Sequence, residues 1–484
     1  MEIPNALHVL YGWIMKLQKT IAIIGGGVSG ALTAYHLIRR GAQAKVILID
    51  PCANPGLGLA YSTPSYRHLL NVPAGKISAL PDQPKHFLDW LQKKYDARMT
   101  ETDFAPRAVF GRYVQSLLKT VPNLDHRQTA VLDCHVAGEQ ATLDLSDGTQ
   151  IVADAVVLAT GNFDPAPLRG VAEETVSNGT YCHSAWEGST YANLAPDAPV
   201  ALIGSGLTAV DVLLRLREVG HRGQIIAISR HGIFPHRHAN YLPLRNPAVA
   251  GTPPTKVREL LRAVHHAIRA GAEWRAVIDS LRGRTNELWM SLPLNEQRRF
   301  RRHLQRRWEV VRHRMAPPIA DQVEAELEAG TLTKHRGSLR AVLPSLNGAR
   351  VQFRTNLGEV KEVIVARVIN CTGPNMNYRR VGSPLLNSLF AQGLIVAGPH
   401  GSALWTSESG ALRDQDGSFS KVLFHVGPGR QGTLLESIAV PELRHQAADL
   451  AELLAREFAS HEQDVTSNNA LADTLLTTGV AVGL

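Results

Sequence analysis

The segment Thr20-Ile-Ala-Ile-Ile-Gly-Gly-Gly-Val-Ser-Gly-Ala-Leu-Thr-Ala-Tyr-His-Leu37 carries the strongest structural signal in the sequence. Its apolar run Ile21–Ile24 is typical of a buried parallel strand. Gly25, Gly27 and Gly30 follow on the G-x-G-x-x-G spacing. That spacing allows a tight turn, a close approach of backbone to a pyrophosphate, and packing of a helix on the strand. The N-terminus of that helix would face the phosphates.

A second strand and an acid complete this unit. Lys45-Val-Ile-Leu-Ile49 is apolar, and Asp50 stands at its end. A carboxylate at this position accepts hydrogen bonds from a ribose hydroxyl. A glycine-rich structural turn is the alternative, but strand, glycines, helix, strand and acid in this order favour a dinucleotide site.

A second nucleotide signature lies further along the chain. Pro199-Val-Ala-Leu-Ile203 predicts a strand, and Gly204-Ser-Gly-Leu-Thr-Ala209 has the G-x-G-x-x-A spacing. The next predicted strand covers 224–229, and Arg230 follows it in place of a terminal acid. An arginine there favours the 2′-phosphate of NADP, whereas a solvated loop arginine is the alternative. The candidate residues of this site are Gly204, Ser205, Gly206, Thr208 and Arg230.

Composition bounds the class of protein. The 484 residues are enough for two or three domains, and 44% hydrophobic with 19% charged residues is ordinary for a globular chain. The net charge of +8 suits anionic cofactors and substrates. No apolar run reaches the ~18 residues of a membrane helix. The four cysteines form no C-x-x-C pair, which disfavours a dithiol reductase and fits a reduced, cytoplasmic setting.

Residues 254–330 predict a helical, strongly basic segment. Its arginines spread around the helices without a nucleic-acid motif, so solvated faces and ion pairs are favoured over nucleic-acid binding. A subset is free to hold an anionic substrate. We identify no metal site, because His236-Arg-His238 lacks further ligands. The arginines of this run are Arg298, Arg299, Arg301, Arg302, Arg306, Arg307, Arg312 and Arg314.

Later segments return to the predicted sheets. Residues 127–153 predict a three-stranded β meander. Asp154-Ala-Val-Val-Leu-Ala-Thr-Gly161 is a strand that enters a glycine turn, and Cys371-Thr-Gly373 repeats that turn. Gly427 precedes a helix predicted to end near Phe458. Further predicted strands cover 350–354, 363–370, 394–398 and 422–427.

These features together resemble the two-dinucleotide-domain flavoproteins. More closely, the chain is similar to the FAD/NAD(P)-binding group related to class B flavin monooxygenases and N-hydroxylases. Residues 154–161 match the D-x-x-x-[LF]-A-T-G core of that group, although Asn162 replaces the usual tyrosine. Leu70-Asn-Val-Pro73 is similar to the group's asparagine loop. The segments 104–113, 274–282 and 308–317 resemble the FAD-dependent urate hydroxylases.

The resemblance implies a reaction and its cofactors. NADPH, with NADH less favoured, would reduce FAD, and a C4a-(hydro)peroxyflavin formed with O2 would hydroxylate a small purine such as urate, or an amine. Asn71 would be the catalytic residue beside the isoalloxazine; a simple turn residue is the alternative. The candidate FAD-binding residues are Gly25, Gly27, Ser29, Gly30, Asp50, Asn71, Val131, Thr160, Gly161 and Gly427.

The predicted fold is α/β, with two Rossmann-like dinucleotide-binding domains, one for FAD and one for NAD(P)H, and a helical insertion. The predicted divisions are 19–165 (FAD domain, first part), 195–250 (NAD(P)H domain), 251–332 (helical insertion), 333–372 (return strands of the NAD(P)H domain), 373–460 (FAD domain, second part) and 461–484 (flexible tail). Residues 1–18 lack a signal peptide's features. Met1 and Met15 both remain candidates for the start, because residues 15–20 lead straight into the first predicted strand.

Three functions are compatible with the sequence. A flavin monooxygenase is favoured over a flavin-dependent NAD(P)H reductase that inserts no oxygen. A non-catalytic FAD-binding redox sensor is disfavoured, because a sensor need not keep a hydride-donor site. We expect a small-molecule substrate and O2 as partners, without nucleic acid or membrane. Substrate identity and oligomeric state stay open.

Overall fold

The computed structural model describes residues 19–477, with side chains described through Ala459. The choice between Met1 and Met15, and the predicted tail beyond residue 477, lie outside the described residues. Within the described range, no helix combines the length and apolar character needed to cross a membrane.

The strands are β1 Lys19–Ile24, β2 Ala44–Ile49, β3 Asp125–Arg127, β4 Val131–Ala137, β5 Gln140–Leu145, β6 Gln150–Ala153, β7 Ala155–Leu158, β8 Tyr181–Cys182, β9 Val200–Ile203, β10 Ile225–Ser229, β11 Leu332–Ser345, β12 Gly348–Thr355, β13 Val360–Val365, β14 Arg367–Asn370, β15 Ala411–Arg413 and β16 Phe419–His425.

The α-helices are α1 Val28–Arg39, α2 Gly58–Tyr61, α3 His86–Lys94, α4 Arg107–Leu118, α5 Glu173–Ser177, α6 Leu207–Glu218, α7 Val257–Arg269, α8 Trp274–Ser280, α9 Thr285–Met290, α10 Leu294–His303, α11 Gln305–Arg312, α12 Pro317–Glu328, α13 Pro384–Ala391 and α14 Val440–Thr477.

The first sheet is built around the strand predicted from the opening glycine segment. Its order is β15-β16-β7-β1-β2-β3, and all neighbours are parallel except β15 with β16. Ile21 pairs with Val46 and with Ala155. Because its central strands are covered on both faces, they consist of near-continuous buried aliphatic residues. The antiparallel β4-β5-β6 meander lies beside it, as predicted.

The second sheet repeats this construction. Its order is β13-β12-β11-β10-β9-β14-β8, with β11, β10, β9, β14 and β8 parallel. The long strand Leu332–Ser345 pairs in parallel with β10 at its start and antiparallel with β12 from Gly337 onward. The fold class is therefore α/β with two Rossmann-type units, as the sequence predicts. The edge strand Tyr181–Cys182 lies ahead of residue 195, the predicted beginning of this unit.

Six described helices, α7–α12, fill the connection between the neighbouring strands β10 and β11. The helical insertion is thus one long crossover within the second sheet. Trp289 anchors it to the other unit, because its indole N–H donates to the Thr433 carbonyl at 3.0 Å. Asn286 adds bonds to the backbone of Leu435 and Glu436.

Three predicted elements differ from the structure. Residues 394–398 form no strand, although Ile395 is buried, because an apolar run can pack in the core as irregular chain. The predicted strand 363–370 is two strands separated at Ala366, one pairing with β12 and the other with β9. The last helix continues to Thr477 instead of ending near Phe458.

Candidate active site

The first glycine turn is held by close backbone contacts. Gly25 has φ +110°, and its N–H donates to the Ile49 carbonyl at 2.8 Å. A Cβ on Gly25 would lie 2.3 Å from the Ala159 carbonyl oxygen, and a Cβ on Gly30 would lie 1.9 Å from the Gly25 oxygen. These two positions therefore accept glycine alone.

Gly27 has a different environment. A Cβ there would find its nearest neighbour, the Gly58 Cα, at 3.5 Å, an ordinary van der Waals distance. Gly27 is the N-cap of α1, so open space lies at the helix N-terminus, where anions are favoured. Gly427 comes to the same place from the far end of the chain, and a Cβ on it would lie 2.8 Å from Ser29 Oγ.

Polar groups around this turn fit a dinucleotide. Asp50 accepts hydrogen bonds from the Gly26 N–H at 2.5 Å and the Cys52 N–H at 2.7 Å, one on each oxygen, so each oxygen keeps a free lone pair. The buried hydroxyl of Thr160 has no partner in the described structure. Gly161 has open space where a side chain would be, whereas Val131 is buried in the core beside Ile49.

The second glycine turn has a similar backbone contact and more polar side chains around it. Gly204 has φ +133°, and a Cβ on it would lie 2.3 Å from the Cys371 carbonyl oxygen. Ser205 is buried, with its hydroxyl 2.8 Å from both the Ser229 hydroxyl and the Ile233 carbonyl. Arg306 reaches the turn from the helical insertion and donates to the carbonyls of Ser205 at 3.1 Å and Ile233 at 2.7 Å.

Cations gather at the end of strand β10. Arg230 is exposed there and makes no hydrogen bond or ion pair to another described residue. The pKa of the adjacent His231 lies below its ordinary value, first because of burial and then because of the charges of Arg230, Arg306 and Arg336. Gly206 is the N-cap of α6, and Thr208 is the second residue of that helix.

The loop that carries Asn71 is fastened to the second unit. His68 Nε2 lies 2.9 Å from the Asp211 carbonyl of α6, and Arg107 donates to the Asp211 carboxylate at 2.6 Å. His238 Nε2 lies 3.0 Å from the Asn71 carbonyl. The side-chain amide of Asn71 makes no hydrogen bond within the described structure, so it is free for a ligand.

Asn71 lines a cavity of about 980 Å³ where the first unit, the second unit and the helical insertion meet. On its wall, Arg314 donates to both carboxylate oxygens of Asp279 at 2.6 Å, and the Tyr241 hydroxyl donates to the same carboxylate. Burial acts to raise the pKa of Asp279, but the Arg314 charge and these hydrogen bonds hold it below its ordinary value. Asp279 is therefore an anion at neutral pH.

Comparison with known proteins gives the site a context. Residues 22–163 match the family model described as FAD-NAD(P)-binding. This segment is an FAD/NAD(P)-binding domain. An uncharacterized protein of Escherichia coli (strain K12), YdhS, is 24% identical over 244 residues, which are 46% of this chain and 44% of that protein. The match thus spans less than half the length of that relative.

Solved flavoprotein structures share the fold over nearly the whole chain. One is the structure of the ornithine N-hydroxylase of Kutzneria sp. 744 with reduced FAD, NADP⁺ and L-ornithine. It has a TM-score of 0.64 at 13% identity, and the match covers 91% of this chain and 99% of that one. The ornithine hydroxylase of Pseudomonas aeruginosa has 0.61 at 16%, with the same coverage. The bacillithiol disulfide reductase of Bacillus cereus has 0.54 at 16%, also with that coverage.

The eight arginines of the basic run differ in burial, and Arg301 and Arg306 are half-buried. Arg298, Arg299, Arg302 and Arg307 are exposed, as predicted for solvated faces. Arg312 and Arg314 are buried, and Arg312 donates to Glu436 at 2.6 Å. Sequence reasoning missed this division, because helical spacing alone does not show which face meets another domain.

The cavity residues Lys76 and Tyr241 also escaped the sequence analysis. They are far apart in the chain and belong to no motif. The likeness of 274–282 and 308–317 to the urate hydroxylases was the signal near Asp279 and Arg314.

A separate polar group lies on the meander. His135 Nε2 is 3.4 Å from Asp133 Oδ2 and 3.6 Å from Asp144 Oδ2. The side chains of His135, Asp133 and Asp144 are 57%, 32% and 34% exposed. Exposed acidic groups of this kind are common without a bound ion. They do not alter the expectation that the site uses no metal.

Proposed function

We propose that the protein is an FAD-dependent NADPH monooxygenase that hydroxylates a small molecule with O2. The observation that supports it is the cavity at Asn71, which lies where two glycine-turn units and the helical insertion meet. A cavity at such a junction suits the binding of a small molecule between the two units.

The two turns have separate roles in this proposal. Gly25, Gly27, Ser29, Asp50 and Gly427 would hold FAD, because they surround the open helix N-terminus. When bound, FAD would supply a hydride acceptor and a group that activates oxygen. The second turn would hold NADPH, with its phosphate beside the cations at the end of β10.

Asn71 would stabilise the reacting oxygen. Its backbone is held by His238, and its amide donates without being an acid. Burial, followed by the charge of Arg314, lowers the pKa of His238 to about 4. Burial, followed by Arg312, lowers the pKa of His313 to about 3. Both imidazoles are therefore neutral at pH 7, and neither would offer a strong acid to the cavity.

The test follows oxygen. NADPH oxidation in labelled O2, screened against purines and amines, should place label in a product. Asn71→Ala should leave FAD bound and reduction by NADPH largely intact, while diverting oxygen to hydrogen peroxide. Asn240→Ala is the matched control, since Asn240 lines the same cavity but is exposed and makes no bond to the Asn71 loop.

A reductase without oxygen insertion is the second candidate, favoured by the fold shared with the bacillithiol disulfide reductase. A dithiol route has little support within the described residues. Burial raises the pKa of Cys134 to about 12 and also raises that of Cys371, and Cys52 is exposed without a paired thiol. The protein would nevertheless be a reductase if it released one hydrogen peroxide for each NADPH oxidised and formed no labelled product.

A further inference from the structure

The second sheet places an arginine of β11 beside the second glycine turn. Arg336 pairs with Ser229 of β10 in the parallel register. Paired residues of neighbouring parallel strands point to the same face of a sheet. Arg336 therefore lies on the face where the Ser229 hydroxyl meets the Ser205 hydroxyl at 2.8 Å. Its side chain is exposed, and its guanidinium has no hydrogen bond or ion pair with a described residue.

The loop after β10 brings Arg230 to the same place. A Cβ on Gly232 would lie 3.2 Å from the Arg336 Cβ, so the chain just beyond Arg230 packs against Arg336. Arg230 is exposed as well. Two guanidinium groups from neighbouring strands thus lie at one end of the sheet, and neither is bonded to a carboxylate within the described range.

The helical insertion adds a third arginine from a distant part of the chain. Arg306 of α11 fastens the insertion to the turn, because its Nη2 donates to the carbonyls of Ser205 at 3.1 Å and Ile233 at 2.7 Å. Its Nη1 lies 3.6 Å from Glu309, so its charge is partly compensated. The next residue, Arg307, is exposed and makes no hydrogen bond or ion pair among the described residues. Arg307 is therefore available to a ligand bound beside the turn.

One imidazole shows that these cations lie close together. Burial lowers the pKa of His231 most, and the positive charges of four arginines lower it further: Arg230, Arg306, Arg336 and Arg307. Like charges held together repel one another, and an anion bound among them offsets that repulsion. A phosphate suits such a cluster, because its oxygens accept hydrogen bonds from several guanidinium groups at once.

We propose that Arg336 and Arg307 complete a 2′-phosphate site with Arg230, so that β11 and the helical insertion help to set the preference for NADPH. This inference rests on the proposed binding of NADPH at the second glycine turn. It does not depend on the fate of oxygen, because the same cations would hold the phosphate in a monooxygenase and in a reductase.

The test is calorimetric titration of the oxidised, FAD-loaded protein with four probes. NADP⁺ and NAD⁺ differ by the 2′-phosphate, and so do adenosine 2′,5′-bisphosphate and 5′-AMP. Because FAD occupies the first turn, the probes report on the second. We expect the protein to bind the 2′-phosphorylated member of each pair at least about a hundredfold more tightly, since the phosphate makes more than one charge-assisted bond.

Two variants assign the added cations. Arg336→Met and Arg307→Met should each weaken the binding of NADP⁺ and adenosine 2′,5′-bisphosphate about tenfold, while the affinities for NAD⁺ and 5′-AMP stay unchanged. Arg340→Met, further along β11, and Arg302→Met, on helix α10, are the matched controls and should change none of the four affinities. All four arginines are exposed, so flavin content and thermal unfolding should equal those of the unsubstituted protein.

The proposal is overturned by an unchanged ratio of NADP⁺ to NAD⁺ affinity in either variant, or by an equal loss of both affinities. Equal binding of all four probes to the unsubstituted protein would overturn it together with the binding of NADPH at this turn. Discrimination that responds to both variants, in a protein that inserts no labelled oxygen, would uphold the phosphate site and overturn the monooxygenase function alone.

Discussion

Three glycines with one spacing have two kinds of environment in the first turn. Gly25 and Gly30 are confined by backbone carbonyl oxygens, while Gly27 has room for a side chain. Gly25 and Gly30 are therefore required by the fold, whereas Gly27 keeps the helix N-terminus accessible to a ligand. Substitutions at Gly27 and Gly30 separate cofactor binding from folding.

We expect Gly27→Ala to fold and to bind FAD at least about tenfold more weakly, because its methyl group occupies the phosphate position. Its free energy of unfolding should fall by no more than about 1 kcal/mol, the usual scale of an N-cap change. Flavin absorbance after purification and a denaturant titration measure the two quantities. Gly188→Ala, where nothing lies within 4 Å of the new Cβ, is the control. Undiminished FAD binding by Gly27→Ala would contradict the assignment.

Arg230 offers a second residue test. If it contacts the 2′-phosphate, Arg230→Ala should reduce the preference for NADPH over NADH by about ten- to hundredfold, the value of a charge-assisted bond. Rates of flavin reduction with both nucleotides measure that preference. Arg222→Ala removes an arginine from the same unit that is 73% exposed and should have no effect. An unchanged preference in Arg230→Ala would show that other cations, such as Arg306, read the phosphate.

At the scale of elements, the helical insertion is held from both sides. Arg312 joins it to Glu436 of the first unit, and Arg306 joins it to the second glycine turn. A further ion pair ties its last helix to α6, since Arg217 donates through Nε and Nη2 to the two oxygens of Glu326, both at 2.7 Å. The insertion is therefore part of the site's framework.

The Arg217–Glu326 pair predicts a pH-dependent stability. The hydrogen bond from Arg217 lowers the pKa of Glu326 despite burial, so its stabilisation is complete above the ordinary glutamate pKa and is lost as pH falls through the lowered value. Glu326→Gln should reduce the free energy of unfolding by about 1–2 kcal/mol at pH 7 and by less below about pH 4. Urea titrations at both pH values measure the difference. Glu324→Gln, exposed on the same helix, should cost less than about 1 kcal/mol. A pH-independent deficit in Glu326→Gln would contradict this account.

At the scale of the whole molecule, segments that are distant in the sequence meet at the first glycine turn. Gly427 meets Ser29 across most of the sequence, and strand β16 pairs with β7 in the first sheet. A ligand bound at this turn would contact both segments, which the first sheet already pairs. Binding of FAD should therefore stabilise the assembled chain.

We expect FAD at about one hundred times its dissociation constant to raise the free energy of unfolding by about 2.7 kcal/mol over the deflavinated protein. Thermal unfolding monitored by tryptophan fluorescence measures the shift. Riboflavin, which lacks the pyrophosphate and adenosine, should produce a much smaller shift. The Gly27→Ala protein should respond weakly to the same FAD concentration, and an equal response would place the cofactor elsewhere.

Local sequence patterns were sufficient for both Rossmann-type units, the meander and the two glycine turns. Each of these depends on neighbours in the chain: apolar strands, glycines at positions that need positive φ or a close approach, and the residue that ends the next strand. The same local reasoning was wrong at 394–398, because burial without periodicity does not distinguish a strand from irregular chain.

The cavity was decided by tertiary structure alone. Asn71 was predicted from a loop motif, but Lys76, Tyr241, Asp279 and Arg314 come together only when the helical insertion packs against both units. Whether an arginine is solvated or buried depends on which helix face meets another element, as the contrast between Arg307 and Arg314 shows. That face is set by long-range packing, because the energetic cost of a buried charge is met by a partner distant in the chain, here Asp279.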